Sequence, residues 1–248
     1  MSEPRRAVIV GASSGVGRHL ADAMAQAGYD LTLISRDMRD LEPTAADLSL
    51  RYGRDCTAFE CDIGDHEFDA EAFANFWCDR PESVDCLLIP AGAISANDFE
   101  TNPAVVASLT AINYVGPARL AAAFGRRMGL RAKGSIVFFS SIAAAAPRSR
   151  NAAYSAAKAA LEVYAKALRA DLEPRGVSVA TVALGYIDTR LSFGTRLLLP
   201  VASPRSVGAF VVARILHRSG RWHYPRFWWW ITTVLRHLPW VIYRRLPF

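Results

Sequence analysis

Tyr154 and Lys158 stand four residues apart in Tyr154-Ser-Ala-Ala-Lys158, within a stretch whose pattern predicts a helix over Asn151–Glu173. Residues at i and i+4 share one helix face, so phenol and ammonium would lie side by side. A free phenol has a pKa of about 10, too high for easy proton exchange at neutral pH. A neighbouring positive charge stabilises the phenolate and lowers that value. The pair could therefore act as an acid/base device on a carbonyl or an alcohol, and Lys158 could also reach ribose hydroxyls. The bland alternative is a surface Tyr–Lys pair. Two further residues argue against it. Ser141, in Ser140-Ser141, follows a predicted strand end thirteen residues before Tyr154, and strand ends of a parallel sheet are where ligands bind. Asn113 falls inside a predicted long helix, where asparagine is a poor filler unless its amide finds partners such as a bound water.

A second constellation is Gly11-Ala-Ser-Ser-Gly15-Val-Gly17, which follows an apolar run at Ala7–Val10 and opens an alanine-rich stretch ending near Gly28. Glycines let a backbone turn tightly and approach a pyrophosphate, and a helix N-terminus favours its negative charge. Ser13 and Ser14 can add hydroxyl donors, and the backbone of Val16 completes the turn. At the end of the second predicted strand, where an NAD site usually carries an acid, stand Ser35 and Arg36. A hydroxyl and a guanidinium suit a 2′-phosphate, which favours NADP(H) over NAD(H). The competing reading makes Arg36 a solvated loop residue and gives Asp37 some ribose work. Asp62, followed by Ile63 just past the third strand, could accept from an adenine amino group or could simply cap a turn.

The elements that would position these groups alternate. Strands are predicted at Asp30–Ser35, Thr57–Glu60, Val84–Ile89, Ser135–Ser140 and Val177–Leu184, with a short seventh at Trp222–Tyr224. Helices are predicted near Pro43–Tyr52 and Glu67–Cys78, over Pro103–Leu130 with a kink at Pro117, and over Ser203–Arg218. Such alternation implies right-handed βαβ units and a parallel sheet, an α/β fold.

With these motifs in this order the chain resembles the short-chain dehydrogenases/reductases, over about residues 6–225. The resemblance implies a Rossmann-like three-layer fold with a seven-stranded parallel sheet, a nicotinamide cofactor and a catalytic tetrad. In that tetrad Asn113 would organise a proton-relay water and Ser141 would hold the substrate oxygen. Tyr154 would transfer the proton, and Lys158 would bind the ribose and tune the tyrosine. Ala91, Gly92, Gly185, Ile187 and Thr189 would join the cofactor contacts, Gly185 and Thr189 toward the carboxamide. The resemblance also leads to an expectation of dimers or tetramers. Two departures stand out: Pro90-Ala91-Gly92 where the family usually has Asn-Ala-Gly, and Leu184-Gly185 where it usually has Pro-Gly.

The 248 residues suit one catalytic domain, 1–224, and a tail, 225–248. Cys56, Cys61, Cys78 and Cys86 form no CxxC pair and no histidine cluster lies near them, so reduced thiols rather than a metal site are expected. The polar start, with no apolar stretch long enough for a leader, points to a cytoplasmic protein. The net charge of +6 is uneven: residues 189–248 hold ten arginines, no lysine and no acid, with five of the six tryptophans. No apolar run in the tail reaches the ~20 residues needed to cross a bilayer, but aromatic rings beside arginines suit a headgroup zone. Two short amphipathic helices on an anionic membrane surface, on its cytoplasmic face, are therefore expected. A tail packed on the domain, or on another copy of the chain, is the alternative. Nucleic acid would also find basic and aromatic residues here, but the catalytic body offers no role for it.

Val234-Leu-Arg-His-Leu-Pro239, Tyr243-Arg-Arg-Leu-Pro-Phe248 and Arg148-Ser-Arg-Asn151 are similar to segments of decaprenylphosphoryl-2-keto-β-D-erythro-pentose reductases. That resemblance implies a keto sugar carried on a polyprenyl phosphate as substrate, an arabinose lipid as product and a flavoenzyme oxidase as supplier of the ketone. It also implies NADH, against the reading of Arg36. Reduction of another lipid ketone, 3-ketoacyl or sterol-like, is the second enzymatic reading. A nucleotide-sensing module without catalysis is a third, opposed by the complete tetrad.

Overall fold

The computed structural model describes residues 5–78, 83–95, 102–189 and 199–245. Its strands are β1 (Arg5–Val10), β2 (Tyr29–Ser35), β3 (Cys56–Glu60), β4 (Val84–Ile89), β5 (Gly134–Ser141), β6 (Val177–Leu184) and β7 (Gly220–Tyr224). They form one sheet in the order β3-β2-β1-β4-β5-β6-β7, every pair parallel. The strand order reverses between β1 and β4, and the crevice beyond their carboxyl ends is where such sheets hold ligands.

Period-two alternation sends successive strand residues into two cores. Val8, Leu87, Ile136 and Val179 face one side, under α3 (Ala70–Cys78), α5 (Gly116–Leu130) and α6 (Ala152–Leu172). Ile9, Leu88, Val137 and Ala180 face the other, under α1 (Gly15–Gln26), α2 (Met38–Tyr52) and α7 (Pro204–Phe210). The expected Rossmann-like three-layer α/β architecture is present, including the short seventh strand.

Boundaries moved where capping chemistry overrode composition. Helix α2 begins at Met38, capped by Asp37, whose side chain accepts from the Arg39 N–H, so Pro43 lies inside it. Helix α3 starts only at Ala70, because Asp69 accepts from the backbone N–H groups of Glu71 and Ala72. At the expected kink the helix instead runs through a π-helical segment, Ala111–Val115, between α4 (Pro103–Thr110) and α5; Val115 and Gly116 stay helical, so Pro117 lies within a continuous helical run just after the shift in hydrogen bonding.

The tail forms α8 (Trp228–His237) and a single turn, α9 (Trp240–Tyr243); residues 246–248 lie outside the described residues. One face of α8 is docked on the body. Trp228 and Thr232 are buried, Thr232 is hydrogen-bonded to His223 of β7 (3.1 Å), and Arg236 pairs with Glu162 of α6 (2.9 Å). Glu162 also receives Arg221 of β7 (3.0 Å) and the Ser140 hydroxyl (2.9 Å). A mostly buried carboxylate thus ties the helix of Tyr154 and Lys158 to the tail. The other face of α8 is exposed: Trp230 by 68% and Val234 by 60%. No described helix is long and apolar enough to cross a membrane.

Removing the Glu162 charge would leave two guanidinium groups without their carboxylate, so Glu162→Gln is expected to destabilise the protein by about 1–3 kcal/mol. It should also raise the rate of trypsin cleavage within α8 severalfold. Urea denaturation and limited proteolysis would measure both; unchanged cleavage would mean that apolar packing alone seats the tail.

Candidate active site

A cleft of about 1190 Å3 runs along the carboxyl edge of the sheet. Every residue expected to bind cofactor or substrate lines it except Asn113, which lies fully buried behind its wall.

At one end the chain permits only glycine. Gly11 has a positive φ of 87°, and a Cβ there would meet the Ala91 backbone at 2.8 Å. A Cβ on Gly17 would lie 1.9 Å from the Gly11 carbonyl oxygen, so β1 and α1 can be this close only without side chains. Helix α1 carries no acid in its first turn, and Ser14 makes no side-chain capping bond. Its N-terminal N–H groups are therefore available to an anion in the cleft. Ser35 donates to Ser13 at 2.8 Å, which joins the end of β2 to the glycine turn.

Arg36 stands at the same end, 61% exposed, with its guanidinium 3.4 Å from Asp62. Asp62 also accepts from Gly64 N at 2.8 Å, so it works as a turn carboxylate as well as a cleft residue. Asp37 caps α2 and grips Arg39 at 2.7 Å, which draws it away from the ribose role considered for it. Ile63 is buried beneath this end, and Val16 lines it from α1. Across the cleft, Ile187 and Ala202 form a bridge that pins the loop after β6, and the Thr189 methyl lies 3.4 Å from where a Gly15 Cβ would be. The glycine turn, the free helix end and these hydroxyl and guanidinium groups fit a dinucleotide.

At the other end α6 supplies Tyr154 and Lys158. Lys158 is 3% exposed, and its ammonium donates to Phe139 O (3.0 Å) and Ala91 O (3.4 Å). Burial lowers its pKa to about 8. The ammonium lies 5.9 Å from the centre of the Tyr154 ring. Burial raises the Tyr154 phenol above its usual value, and a hydrogen bond with Ser141 pulls against that rise. This corrects the expectation of a phenol lowered by its lysine: the hydroxyl of Ser141 moderates the phenol, while Lys158 is engaged by strand-end carbonyls. Ser141 also accepts from Ala143 N (3.1 Å), which fixes its rotamer.

Asn113 sits in the π-helical segment. Its amide donates to Leu109 O (2.9 Å) and Ala93 O (2.8 Å), and its Oδ1 accepts from Ala93 N (3.2 Å). The side chain thus fastens the loop after β4 to the helix, and both amide protons are taken up by backbone. Gly92 is squeezed between it and Lys158: a Cβ there would lie 3.1 Å from Asn113 Oδ1 and 3.3 Å from Lys158 Nζ.

Sequence reasoning missed Trp228, Thr232 and Leu235, which line the cleft from the tail. Their spacing of four and then three residues was a readable helix face. It also missed Glu162, although 154, 158 and 162 repeat every four residues along α6. A phenol hydrogen-bonded to a serine, a buried ammonium one turn away and a dinucleotide cradle, on a Rossmann-like fold, can together exchange a proton at an oxygen beside a nicotinamide.

The chain belongs to the short-chain dehydrogenase family, whose profile matches residues 5–196. It is 34% identical over 185 residues to the Mycobacterium tuberculosis protein named "Probable oxidoreductase EphD", covering 74% of this chain but only 31% of that protein. The chain thus spans about a third of the length of the first curated relatives it matches. The very-long-chain 3-oxoacyl-CoA reductase of Podospora anserina is 27% identical over 243 residues, 95% of this chain and 70% of that protein. Among solved structures, a short-chain dehydrogenase from Sphingobium yanoikuyae in complex with NADPH superposes with a TM-score of 0.81 at 26% identity, covering 89% of this chain and 88% of that one.

In the cofactor-free protein, the Lys158 ammonium is expected to titrate near pH 8, its neutral fraction growing as pH rises. NMR of the lysine side chains, assigned by the signal missing in Lys158→Met, would measure it. A midpoint near the ordinary 10.4 would mean that water reaches the ammonium.

Proposed function

We propose that this protein reduces the keto group of a 2-keto pentose carried on a polyprenyl phosphate, with NADPH as the favoured reductant, at an anionic membrane surface. The observation that carries this reading is the double-faced tail. Trp228, Thr232 and Leu235 line the cleft from α8, while Trp229, Trp230 and Val234 of the same helix are exposed beside it. On this reading one helix would face both the reacting end of a substrate and an apolar phase in which its lipid chain remains.

The roles follow from the geometry. Burial keeps the Tyr154 phenol protonated at neutral pH, which suits it to donate a proton to a ketone oxygen as that oxygen gains charge. Ser141, already hydrogen-bonded to Tyr154, would hold the same oxygen. Lys158 places a positive charge under the site and would bind the ribose. Asn113 holds the loop carrying Ala91 to Ala93 in place. The reduced nicotinamide, when bound, supplies the hydride; with the phenolic proton this converts the ketone to a secondary alcohol. Ser35 and Arg36 favour the 2′-phosphate of NADPH, and the NADPH-bound Sphingobium neighbour supports that preference. The ketone itself would come from an oxidase acting on the corresponding alcohol, a reaction class suited to a flavoenzyme.

The resemblance to the Podospora 3-oxoacyl-CoA reductase supports a second reading, reduction of a long-chain 3-ketoacyl substrate.

The deciding assay mixes the protein, a partner oxidase, polyprenyl-phosphoryl ribose and either NADPH or NADH, and follows cofactor oxidation and the lipid product. Formation of the arabinose lipid is expected, faster with NADPH, and reduced at least about 100-fold in Tyr154→Phe while cofactor binding is retained. Turnover of 3-ketoacyl thioesters alone would select the second reading. Separately, deletion of residues 225–248 should abolish sedimentation with vesicles containing phosphatidylglycerol. Equal sedimentation of the two forms would show that the tail does not bind membrane.

A further inference from the structure

Among the described residues, four positively charged side chains line the cleft: Arg18, Arg36, Arg148 and Lys158. A further basic group, His19, has its pKa lowered by burial and is neutral at physiological pH. Arg18 belongs to α1 and Arg36 follows β2, so both stand at the dinucleotide end. Lys158 is engaged by strand-end carbonyls. Arg148 stands at the other end, in the segment between Ser141 and Tyr154, and is half-buried.

Its backbone is tied on two sides. The Arg148 N–H donates to Asn151 Oδ1 (3.1 Å), which also accepts from the Ser155 hydroxyl of α6 (3.1 Å). The preceding carbonyl, of Pro147, accepts from the Tyr243 hydroxyl of α9 (2.6 Å). The guanidinium is oriented as well: it donates to the Tyr186 hydroxyl at 3.0 Å, and Tyr186 also lines the cleft. It is close enough to Tyr243 for its charge to oppose the rise that burial gives that phenol. Arg148 therefore lies between the cleft and α9, where Trp240, Val241 and Ile242 are exposed. That is the boundary between a polar cleft and an apolar surface.

A sugar carried on a lipid phosphate has to cross such a boundary, with the sugar in the cleft, the chain outside and the phosphodiester anion between them. An unpaired anion is costly to place in an apolar phase. A planar guanidinium can grip two phosphate oxygens at once. We propose that Arg148 is a specificity-determining residue, whose guanidinium binds the phosphodiester that joins the sugar of the substrate to its lipid chain. The ligand class is a phosphodiester-linked sugar, as against a neutral glycoside or a plain lipid ketone. This deepens the reading above and rests on it. A phospholipid headgroup offers the same chemistry from a second source, and the experiment separates the two.

The test uses full-length protein saturated with NADPH, so that the phosphate sites of the cofactor are filled. Calorimetric titration measures the binding of farnesylphosphoryl D-ribose and of farnesyl D-riboside, which lacks the phosphate. Neither probe carries a ketone, so neither is reduced. Wild-type protein should bind the phosphorylated probe at least about tenfold more tightly, as expected for a charge-assisted hydrogen bond. Arg148→Gln should erase that preference and leave the affinity for the neutral probe unchanged. Tyr186→Phe keeps the ring but removes an acceptor that orients the guanidinium, and should lose part of the preference. That variant decides the matter if Arg148→Gln does not fold, full retention of the preference counting against the proposal. Sedimentation with vesicles containing phosphatidylglycerol should be the same for wild type and Arg148→Gln. Equal affinity of the wild type for both probes, or an undiminished preference in Arg148→Gln, overturns the proposal. Loss of vesicle binding in Arg148→Gln with the preference intact would assign the arginine to a headgroup instead. An Arg148-dependent preference in protein that forms no arabinose lipid would sustain the proposal and overturn the reductase reading.

Discussion

The Lys158 ammonium is almost completely withdrawn from water and rests on the carbonyls of Phe139 and Ala91. Those two oxygens belong to the end of β5 and the loop after β4, so one side chain from α6 joins three separate elements. The arrangement works only if neighbouring elements come unusually close. Gly92 leaves room for both the ammonium and the Asn113 amide, and Gly11 lets the first turn pass against Ala91. The π-helical segment reorients Asn113 so that its amide reaches the Ala93 backbone. Replacing any of these parts by a bulkier or straighter one would separate the ammonium from its carbonyls. A buried charge without such partners is strongly unfavourable.

That constraint accounts for the electrostatics of the site. Burial acts in opposite directions on the two groups, pushing the phenol up and the ammonium down. Each change favours the neutral form, as desolvation does. The ammonium is engaged by the carbonyls of Phe139 and Ala91. Ser141 is the direct partner of the phenol. Proximity along a helix was therefore a sound guide to which residues meet, and a poor guide to which of them sets the pKa.

The same division runs through what the sequence made legible. Strands were readable because the two faces of a parallel sheet are both buried, which leaves continuous apolar runs such as Cys86–Ile89. The cleft residues were readable because glycines and polar residues interrupt those runs at strand ends. Helix starts were less so: Asp37 and Asp69 determine where α2 and α3 begin, through side-chain bonds that composition does not reveal. Glu162 and Trp228 were hidden for another reason. Their meaning depends on α8 folding back over β7, a long-range contact with no local signature beyond the amphipathic spacing of 228, 232 and 235.

The tail resolves an opposition that the sequence left open, between packing on the body and exposing an aromatic surface. A helix has more than one face, and α8 uses them separately. Its inner residues are fixed by a hydroxyl–imidazole bond and a carboxylate shared with β7, so its orientation is set by polar contacts of defined geometry. Burial lowers the His223 pKa to about 4, which keeps that imidazole neutral at physiological pH beside Arg221 and Arg236. Polar docking of this kind specifies one rotation of the helix, where apolar packing alone would tolerate several. With the rotation specified, Trp229 and Trp230 have to face outward while Trp228 faces the cleft. The neighbouring tryptophans differ in exposure because Glu162 and His223 determine which way the helix turns.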